Sequence, residues 1–261
     1  LRVQSDLTLG FELSSPPGGF NVYKGKAKFI DDITLNGEGL SGKGQIQYKT
    51  VSFESSNIKF YPDSLLATTD TLGVEKSKGA YESPWVRSAN NDIKYYPYQD
   101  SLWANSSAKS PFRMYGEVMD LDGTFSVTDK GISGTGTADW DDATLISNHF
   151  IFEADEMFAD TEQLIIKSLD GDKVTFNTPN VNAAVDFIKY TGYFKSNLDD
   201  NRTEFGYNQY ETNLDEFFWD INAKRLEFNA SEGSEGAPFK SLNKDQDSLM
   251  FLVKKADFNL Q

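Results

Sequence analysis

The chain has 261 residues and a formal net charge of −15 at pH 7, and it contains no cysteine. The lack of cysteine excludes disulfide bonds, thiolate metal sites and a thiol nucleophile. The negative charge repels phosphate backbones, so nucleic acid is not an expected partner. No stretch of sequence approaches the roughly 18 apolar residues that a membrane-spanning helix requires, so no transmembrane segment is predicted.

The first part of the chain predicts short β-strands. It opens at Leu1 without an initiator methionine or the basic and apolar regions of a signal peptide, as expected for a processed or excised piece. From Gly39 the sequence GLSGKGQIQYKTVSFESSNIKF alternates apolar and polar residues, which is typical of strands with one buried face. We expect Gly42 and Gly44 to open a strand that the ring of Tyr48 anchors to the layer beneath.

Residues 75–111 form a spacer that contains an aromatic cluster in the sequence DIKYYPYQDSLW. The rings of Tyr95, Tyr96, Tyr98 and Trp103 lie near amides and carboxylates, a combination that suits stacking against sugars. Alternating core aromatics explain the same pattern and are the preferred interpretation.

The sequence from Gly131, GISGTGTADWDDATLISNHFIF, repeats the stretch from Gly39 at an offset of 131 − 39 = 92 residues. The ungapped match extends back to Phe20 of FNVY and Phe112 of FRMY. Packing positions are retained between the copies, whereas nearly every charge differs, and a shared catalytic site should have kept its charges. Ungapped repetition favours stacked β-layers that bury their inner faces against one another. The aligned pairs include Gly42 with Gly134, Tyr48 with Trp140, Ser55 with Ser147 and Phe60 with Phe152.

The predicted fold class is all-β. Two later segments, VNAAVDFIKY from Val181 and NLDEFFWDINAKRLEF from Asn213, fit helices or strands, and we interpret both as strands. We expect a repetitive β-solenoid or an open curved stack of short strands, with a β-sandwich or jelly roll with long loops as the alternative. The predicted units are a first repeat with its spacer at 1–111, a second repeat at 112–203 and a partial further layer at 204–261.

The side chains that could perform chemistry form no constellation in the sequence. The single histidine, His149, lies between predicted strands with no base or nucleophile beside it, and no nucleophile elbow accompanies it. The pairs Asp120/Asp122 and Asp170/Asp172 have calcium-loop spacing but lack the rest of that pattern, so Asp-Gly turns are the preferred interpretation. We therefore predict no enzyme, no catalytic residue, no metal ligand and no cofactor.

A three-residue pattern predicts modification of the chain. D-[S/T]-L occurs four times and resembles the O-glycosylation signal of exported Bacteroidetes proteins, although Asp-Ser also starts strands after turns. The candidate acceptors are Ser64, Thr71, Ser101 and Ser248.

Four segments that together touch most of the chain resemble a family of very large, uncharacterised cell-envelope proteins of Bacteroidetes. This resemblance implies export to the periplasm or the outer-membrane surface and a repetitive β architecture, but it implies no activity. More distantly, the short amphipathic strands with GxG are similar to the β-groove repeats of lipopolysaccharide-transport and AsmA/TamB-type proteins. The segments are SPPGGFNVYKGKAKF, LNGEGLSGKGQIQY, SPFRMYGEVMDLDGTFSVTDKGISGTGTADWDDATLIS and YNQYETNLDEFFWDI.

Three functions follow as hypotheses. The first is a non-catalytic structural or interaction segment of a large envelope protein or complex, with other envelope proteins as partners. The second is a lipid-carrying β-groove for envelope transport. The third is a polysaccharide-binding or polysaccharide-active β-helix protein. The lipid groove would be an open channel lined by Ile46, Phe53, Phe60, Trp140, Leu145 and Phe152.

Overall fold

The structure, a computed structural model, is all-β, as the alternating sequence predicts. Strands make up 68% of the chain, and the described residues contain three short 3-10 turns but no α-helix. None of these residues belongs to a helix long and apolar enough to cross a membrane. The chain divides into two compact units, Leu1–Gly134 and Thr135–Gln261. The described residues are 2–3, 9–168, 171–197, 202–213, 216–230, 234–247 and 249–260, without the side chains of 2–3, 161–162, 168 and 171–173.

The first unit consists of short strands and two 3-10 turns, Tyr23–Gly25 and Pro97–Gln99. Its described strands are β1 (Arg2–Val3), β2 (Leu9–Ser14), β3 (Phe20–Val22), β4 (Ala27–Asn36), β5 (Gly39–Tyr48), β6 (Val51–Phe60), β7 (Leu65–Thr68), β8 (Thr71–Val74), β9 (Ser77–Lys78), β10 (Glu82–Ser83), β11 (Val86–Ser88), β12 (Asp92–Tyr96), β13 (Ser101–Asn105), β14 (Phe112–Met114) and β15 (Met119–Thr128).

Several of these short strands are pieces of longer ones. Both β7 and β8 pair with β6 in one continuous antiparallel register, which runs from Phe60 opposite Leu65 to Val51 opposite Val74. They are therefore two parts of a single strand that is interrupted at residues 69–70. In the same way, β11 and β12 pair with β8 and β7, and β13 and β14 both pair with β15.

The interruptions divide the sheet into two halves. Half-sheet A contains β8, β11, β14 and the ends of β5 and β6 near Tyr48, whereas half-sheet B contains β7, β12, β13 and the end of β6 near Phe60. The pairings β6, β7, β12, β13, β15, β14, β11, β8 and back to β6 close an eight-stranded antiparallel barrel, and the other strands lie outside it. The barrel is flattened, because rings of the two halves meet: Tyr48 lies 4.7 Å from Tyr95, centroid to centroid.

The long strands bend where they pass from one half-sheet to the other. Strand β5 bends at Gly44, which has φ +150°, and its register with β6 shifts between Gly42 and Gly44. The buried hydroxyl of Ser55 supports this bend, because it donates to the Thr68 carbonyl (2.7 Å) and accepts from the Asn57 N–H (3.0 Å). Gly42 and Gly44 thus lie in mid-strand, and the expectation that they open a strand was wrong.

The second unit follows, and β16 (Gly131–Trp140) runs across the boundary between the units. A 3-10 turn lies at Lys244–Gln246. The described strands are β17 (Ala143–Phe152), β18 (Glu156–Ser168), β19 (Gly171–Asp186), β20 (Thr191–Ser196), β21 (Arg202–Phe205), β22 (Tyr210–Asn213), β23 (Glu216–Asp220), β24 (Arg225–Asn229), β25 (Ala237–Ser241), β26 (Met250–Val253) and β27 (Lys255–Asn259).

In the second unit, a serine at the equivalent position supports the strand bend. The Ser147 hydroxyl donates to the Asp160 carbonyl (2.6 Å) and accepts from the His149 N–H (2.9 Å), where the register of β17 with β18 shifts. These atoms repeat the contacts of Ser55 at the offset of 92 residues. His149 consequently lies within β17, and the expectation that it lies between strands was wrong.

The two ambiguous segments are strands, as predicted. VNAAVDFIKY contributes to β19, and NLDEFFWDINAKRLEF contributes β23 and β24, apart from residues 214–215, which lie outside the described part. Their apolar side chains lie in the core, where Val181 and Val185 are buried. Phe217 of β23 lies 5.0 Å from Phe176 of β19, and Phe228 of β24 lies 5.4 Å from Phe205 of β21.

Each unit has a filled interior between antiparallel half-sheets. The pairings of the described strands are antiparallel, which gives each unit a sandwich-like cross-section and does not confirm a closed solenoid. The ring of Phe60 is half-buried and packs on the buried Phe29 at 5.4 Å. The residues expected to line an open lipid channel are instead core residues. The buried ones are Ile46, Phe53, Trp140, Leu145 and Phe152.

Replacing Gly44 with alanine should destabilise the first unit. A Cβ atom at this position would lie 2.1 Å from the Ile30 carbonyl oxygen and 2.4 Å from the Cβ of Asp31, both of which belong to the adjacent strand. We expect the free energy of unfolding to fall by about 2–4 kcal/mol in urea titrations. Gly37→Ala is the control, because nothing lies within 4 Å of a Cβ there. Equal effects of the two substitutions would contradict this account of the bend.

Candidate functional site

At one end of the first unit, apolar side chains are exposed on the side of the sheet that faces the core in the rest of the unit. Leu9, Phe11 and Leu13 alternate along β2 and are 50% to 59% exposed. Phe11 lies opposite Leu35 of β4, which lies opposite Leu40 of β5, and both leucines are also exposed. We call these five residues the end face.

The end face is a continuation of the core. Leu40 lies opposite Phe60, which packs on the buried Phe29. At the offset of 92 residues, Leu35 and Leu40 correspond to Val127 and Ile132, which are 0% and 2% exposed. The two leucines therefore point to the same side of the sheet as these core residues, and they are exposed because none of the described residues packs over them.

The second repeat shows what covers the equivalent face. Strand β13 is the counterpart of β2, and its outer edge pairs with β12, which places Tyr95 opposite Leu102 and against Tyr48. Among the described residues, β2 pairs with β4 over Phe11–Ser14 and with β1 at Leu9 and Gly10.

An ion pair joins the two half-sheets of the first unit at their open rim. Lys49 Nζ, in the turn after β5, lies 3.4 Å from Asp100 Oδ2, in the turn before β13. The same ammonium group donates to the Thr128 carbonyl (2.8 Å), and the Tyr48 hydroxyl donates to the Asp100 carbonyl (2.7 Å). These contacts hold the rims of half-sheets A and B together.

The second unit has the same rim contact with its charges reversed. Lys224, in the turn after β23, binds Asp141 and lies 3.1 Å from Asp142 Oδ2. Asp141 corresponds to Lys49 at the offset of 92 residues, and both have left-handed backbone, with φ 49° and 51°. Burial opposes the charge of Lys224, but hydrogen bonds to the two carboxylates hold its pKa above the ordinary value. Since the pair is kept while its signs are exchanged, its role is structural.

The tyrosines near this rim are held neutral. Burial raises the pKa of Tyr23 and of Tyr81 to about 12. Burial, followed by the charge of Asp100, also raises the pKa of Tyr48 and of Tyr95. A phenol with a raised pKa is protonated at neutral pH, so these groups are not suited to act as bases.

The four candidate glycosylation sites lie in different environments. Thr71 is exposed at the start of β8, Ser64 is half-buried, Ser101 is buried at the start of β13, and Ser248 lies outside the described residues. In the three described triplets the third residue is a core leucine at or next to the first residue of a strand, so strand initiation explains the pattern. Glycosylation stays a prediction. The leucines are Leu65, Leu72 and Leu102.

The predicted aromatic cluster is divided between two faces. Tyr95 is buried in the core, whereas Trp103 is exposed on the outer face of β13, Tyr98 is exposed in a turn and Tyr96 is half-buried. Alternating strand positions account for this division.

The acid pairs do not form a metal centre in the part of the chain that the structure describes. Asp120 and Asp122 lie within β15 and not in the expected turn, and Asp170 and the side chain of Asp172 lie outside the described residues. No group of three or more histidine or acidic side chains that could hold a metal occurs among the residues described.

Comparisons with protein-family models, curated proteins and solved structures found no match.

Exchanging the rim charges of the first unit should restore most of the stability that either single change removes. Lys49→Asp and Asp100→Lys each leave a partly buried charge beside a like charge, and we expect each to cost about 1–2 kcal/mol. The double variant copies the arrangement of Asp141 and Lys224, whose turns have the same backbone conformation. A double-mutant cycle from urea unfolding measures the coupling. Additive losses would contradict an ion pair that joins the rims.

Raising the pH should unfold the chain through its tyrosines. Because the folded-state pKa of these phenols lies above the unfolded value of about 10, their contribution to stability is complete below pH 10 and is lost as the pH rises through about 12. We expect the free energy of unfolding to fall over this interval and Tyr48→Phe to reduce the slope. Circular dichroism and tyrosinate absorbance measure the two events. Ionisation with a midpoint near pH 10 in a chain that stays folded would contradict the prediction.

Proposed function

We propose that the chain is a non-catalytic structural or interaction segment of a large bacterial cell-envelope protein or complex. The observation that carries this proposal is the end face, where Phe11 and Leu35 are exposed on the core side of an unfinished sheet. Another β-layer would cover a surface of this kind, because an added strand supplies backbone hydrogen bonds and buries the apolar side chains at the same time.

The architecture that fits this function is an open stack of strands that grows at its edges. Three observations support it: the ungapped repeat, the shared bend at Ser55 and Ser147, and the burial of Val127 and Ile132, whose sheet continues through β13 to β12. In this arrangement each repeat supplies the cover that the following repeat needs.

The contacts of the repeated residues favour a structural role over a catalytic role. Ser55 and Ser147 use their hydroxyls to satisfy backbone groups at a bend, and neither is aimed at a base. The rim charges exchange sign between the repeats. Residues that are repeated with these contacts stabilise the fold and are not arranged for catalysis.

Export to the periplasm or the cell surface is part of the proposal. The resemblance to large Bacteroidetes envelope proteins supports it, and Thr71 is the candidate O-glycosylation acceptor that is exposed in the described residues. Other envelope proteins are the partners proposed for the end face.

The isolated chain should associate through the end face. We expect sedimentation velocity to show concentration-dependent association in the micromolar range, and the double variant Phe11→Ser/Leu13→Ser to remain monomeric with an unchanged melting temperature. Leu66→Ser is the matched control, because Leu66 is 37% exposed on the outer face of β7. Monomeric wild-type chain up to its solubility limit, or equal loss of association in the control, would overturn the proposal.

A further inference from the structure

The outer face of the second unit carries a depression of about 410 Å³. Two parallel rows of side chains line it, each formed by cross-strand neighbours on β17, β18, β19 and β20. The first row is mainly apolar and the second is polar. The apolar row is Ile151, Phe158, Ala184 and Tyr193, and the polar row is His149, Asp160, Asn182 and Lys195.

Both rows continue onto β23. Phe218, which is exposed, lies opposite Tyr193 and extends the apolar row, and Glu216 lies opposite Lys195 with an N–O distance of 3.0 Å. With strands about 4.8 Å apart, the apolar row from Ile151 to Phe218 is roughly 19 Å long. We call the two rows together the outer platform.

The outer platform is held in position before any ligand arrives. The carboxylate of Glu216 hydrogen-bonds both Lys195 and the Tyr193 hydroxyl, which fixes the tyrosine ring on the sheet. The Asn197 amide donates to Asp160 Oδ1 at 2.8 Å. Side chains that are already ordered lose little conformational entropy on binding.

The first unit has a depression at the equivalent place, of about 360 Å³. It forms directly beside the strand bend in both units, since Asn57 and His149 both donate backbone N–H groups to the bend serine. In the cross-strand order, Trp103 lies where the second unit has Tyr193. The depression therefore results from the strand arrangement that the two repeats share. At the offset of 92 residues, its lining residues Asn57, Lys59, Leu66 and Thr68 match His149, Ile151, Phe158 and Asp160.

We propose that the outer platform of the second unit binds a neutral polysaccharide. The sugar rings would stack on Tyr193 and Phe218, and their hydroxyl groups would form hydrogen bonds with Asp160, Asn182 and His149. This site lies on the outer face and does not rest on the function proposed for the end face.

The chemistry of the rows favours a neutral sugar over other ligands. A pyranose ring has an apolar face and a polar edge. The platform has an apolar row with aromatic rings beside a polar row, and the two rows are two residues apart along each strand. A lipid or a protein partner would favour a wider continuous apolar area. The acids Asp160 and Glu216 and the chain's net charge of −15 oppose polyanions.

The first unit provides an internal contrast. Lys59 and Lys94 occupy the positions of Ile151 and Ala184 in its row, so the row is interrupted by charges. The frame is the same while the lining differs, and this difference assigns neutral glycan binding to the second unit.

The test uses the whole chain in affinity gel electrophoresis and calorimetry with laminarin, mannan and xyloglucan, and with polygalacturonate as the anionic probe. We expect at least one neutral polysaccharide to bind and Tyr193→Ala to weaken that binding about tenfold. Tyr207→Ala is the control, because Tyr207 is 69% exposed in a turn of the same unit, away from the platform. Both variants should keep the melting temperature of the wild type.

Three results would overturn the proposal: no binding to any neutral polysaccharide, preference for polygalacturonate, or equal binding by the Tyr193→Ala and Tyr207→Ala variants. The variant Phe11→Ser/Leu13→Ser should retain polysaccharide binding. Failure of the glycan site can therefore be distinguished from failure of the end-face interaction.

Discussion

The structure depends on one constraint, which is that the two halves of the same strands must pack against each other. A sheet can do this only if its long strands bend or break near the middle, and a bend removes backbone groups from the regular ladder. Ser55 and Ser147 supply the missing partners in the two repeats, and Gly44 permits the close approach of the neighbouring strand. The aromatic core, the rims and the outer depressions all take their positions from this bend.

The rim ion pairs show which property of a charge matters in this fold. Lys49 with Asp100 and Lys224 with Asp141 join equivalent turns with opposite polarity. Coulomb attraction is unchanged when both signs are exchanged, and the left-handed turns accept either residue. A sequence comparison would score these positions as unrelated, although the contact they form is the same.

The alternation of apolar residues was sufficient to predict the strands, because one buried face requires a period of two. The repeat correctly matched Ser55 with Ser147, but its meaning was missed, since a polar break inside a bent strand looks like the end of a strand. The misplacement of His149 has the same cause. The outer platform could not be predicted, because it depends on the register of five strands, and the sequences of β19 and β20 do not match those of β12 and β13, which hold the corresponding positions in the first unit. The end face was equally hidden, since Leu9 and Phe11 alternate like any core strand.

The inner and outer faces of the sheets have different roles, and this difference determines what the repeat indicates about function. Packing restrains the core, bend and rim positions. Similarity between the repeats at these positions therefore indicates a shared strand arrangement and gives no information about ligands. The outer rows carry none of these restraints, and they diverge from Lys59 and Leu66 to Ile151 and Phe158 while the depression itself persists. A binding specificity in such a protein would accordingly reside in what differs between the repeats, placed by what they share.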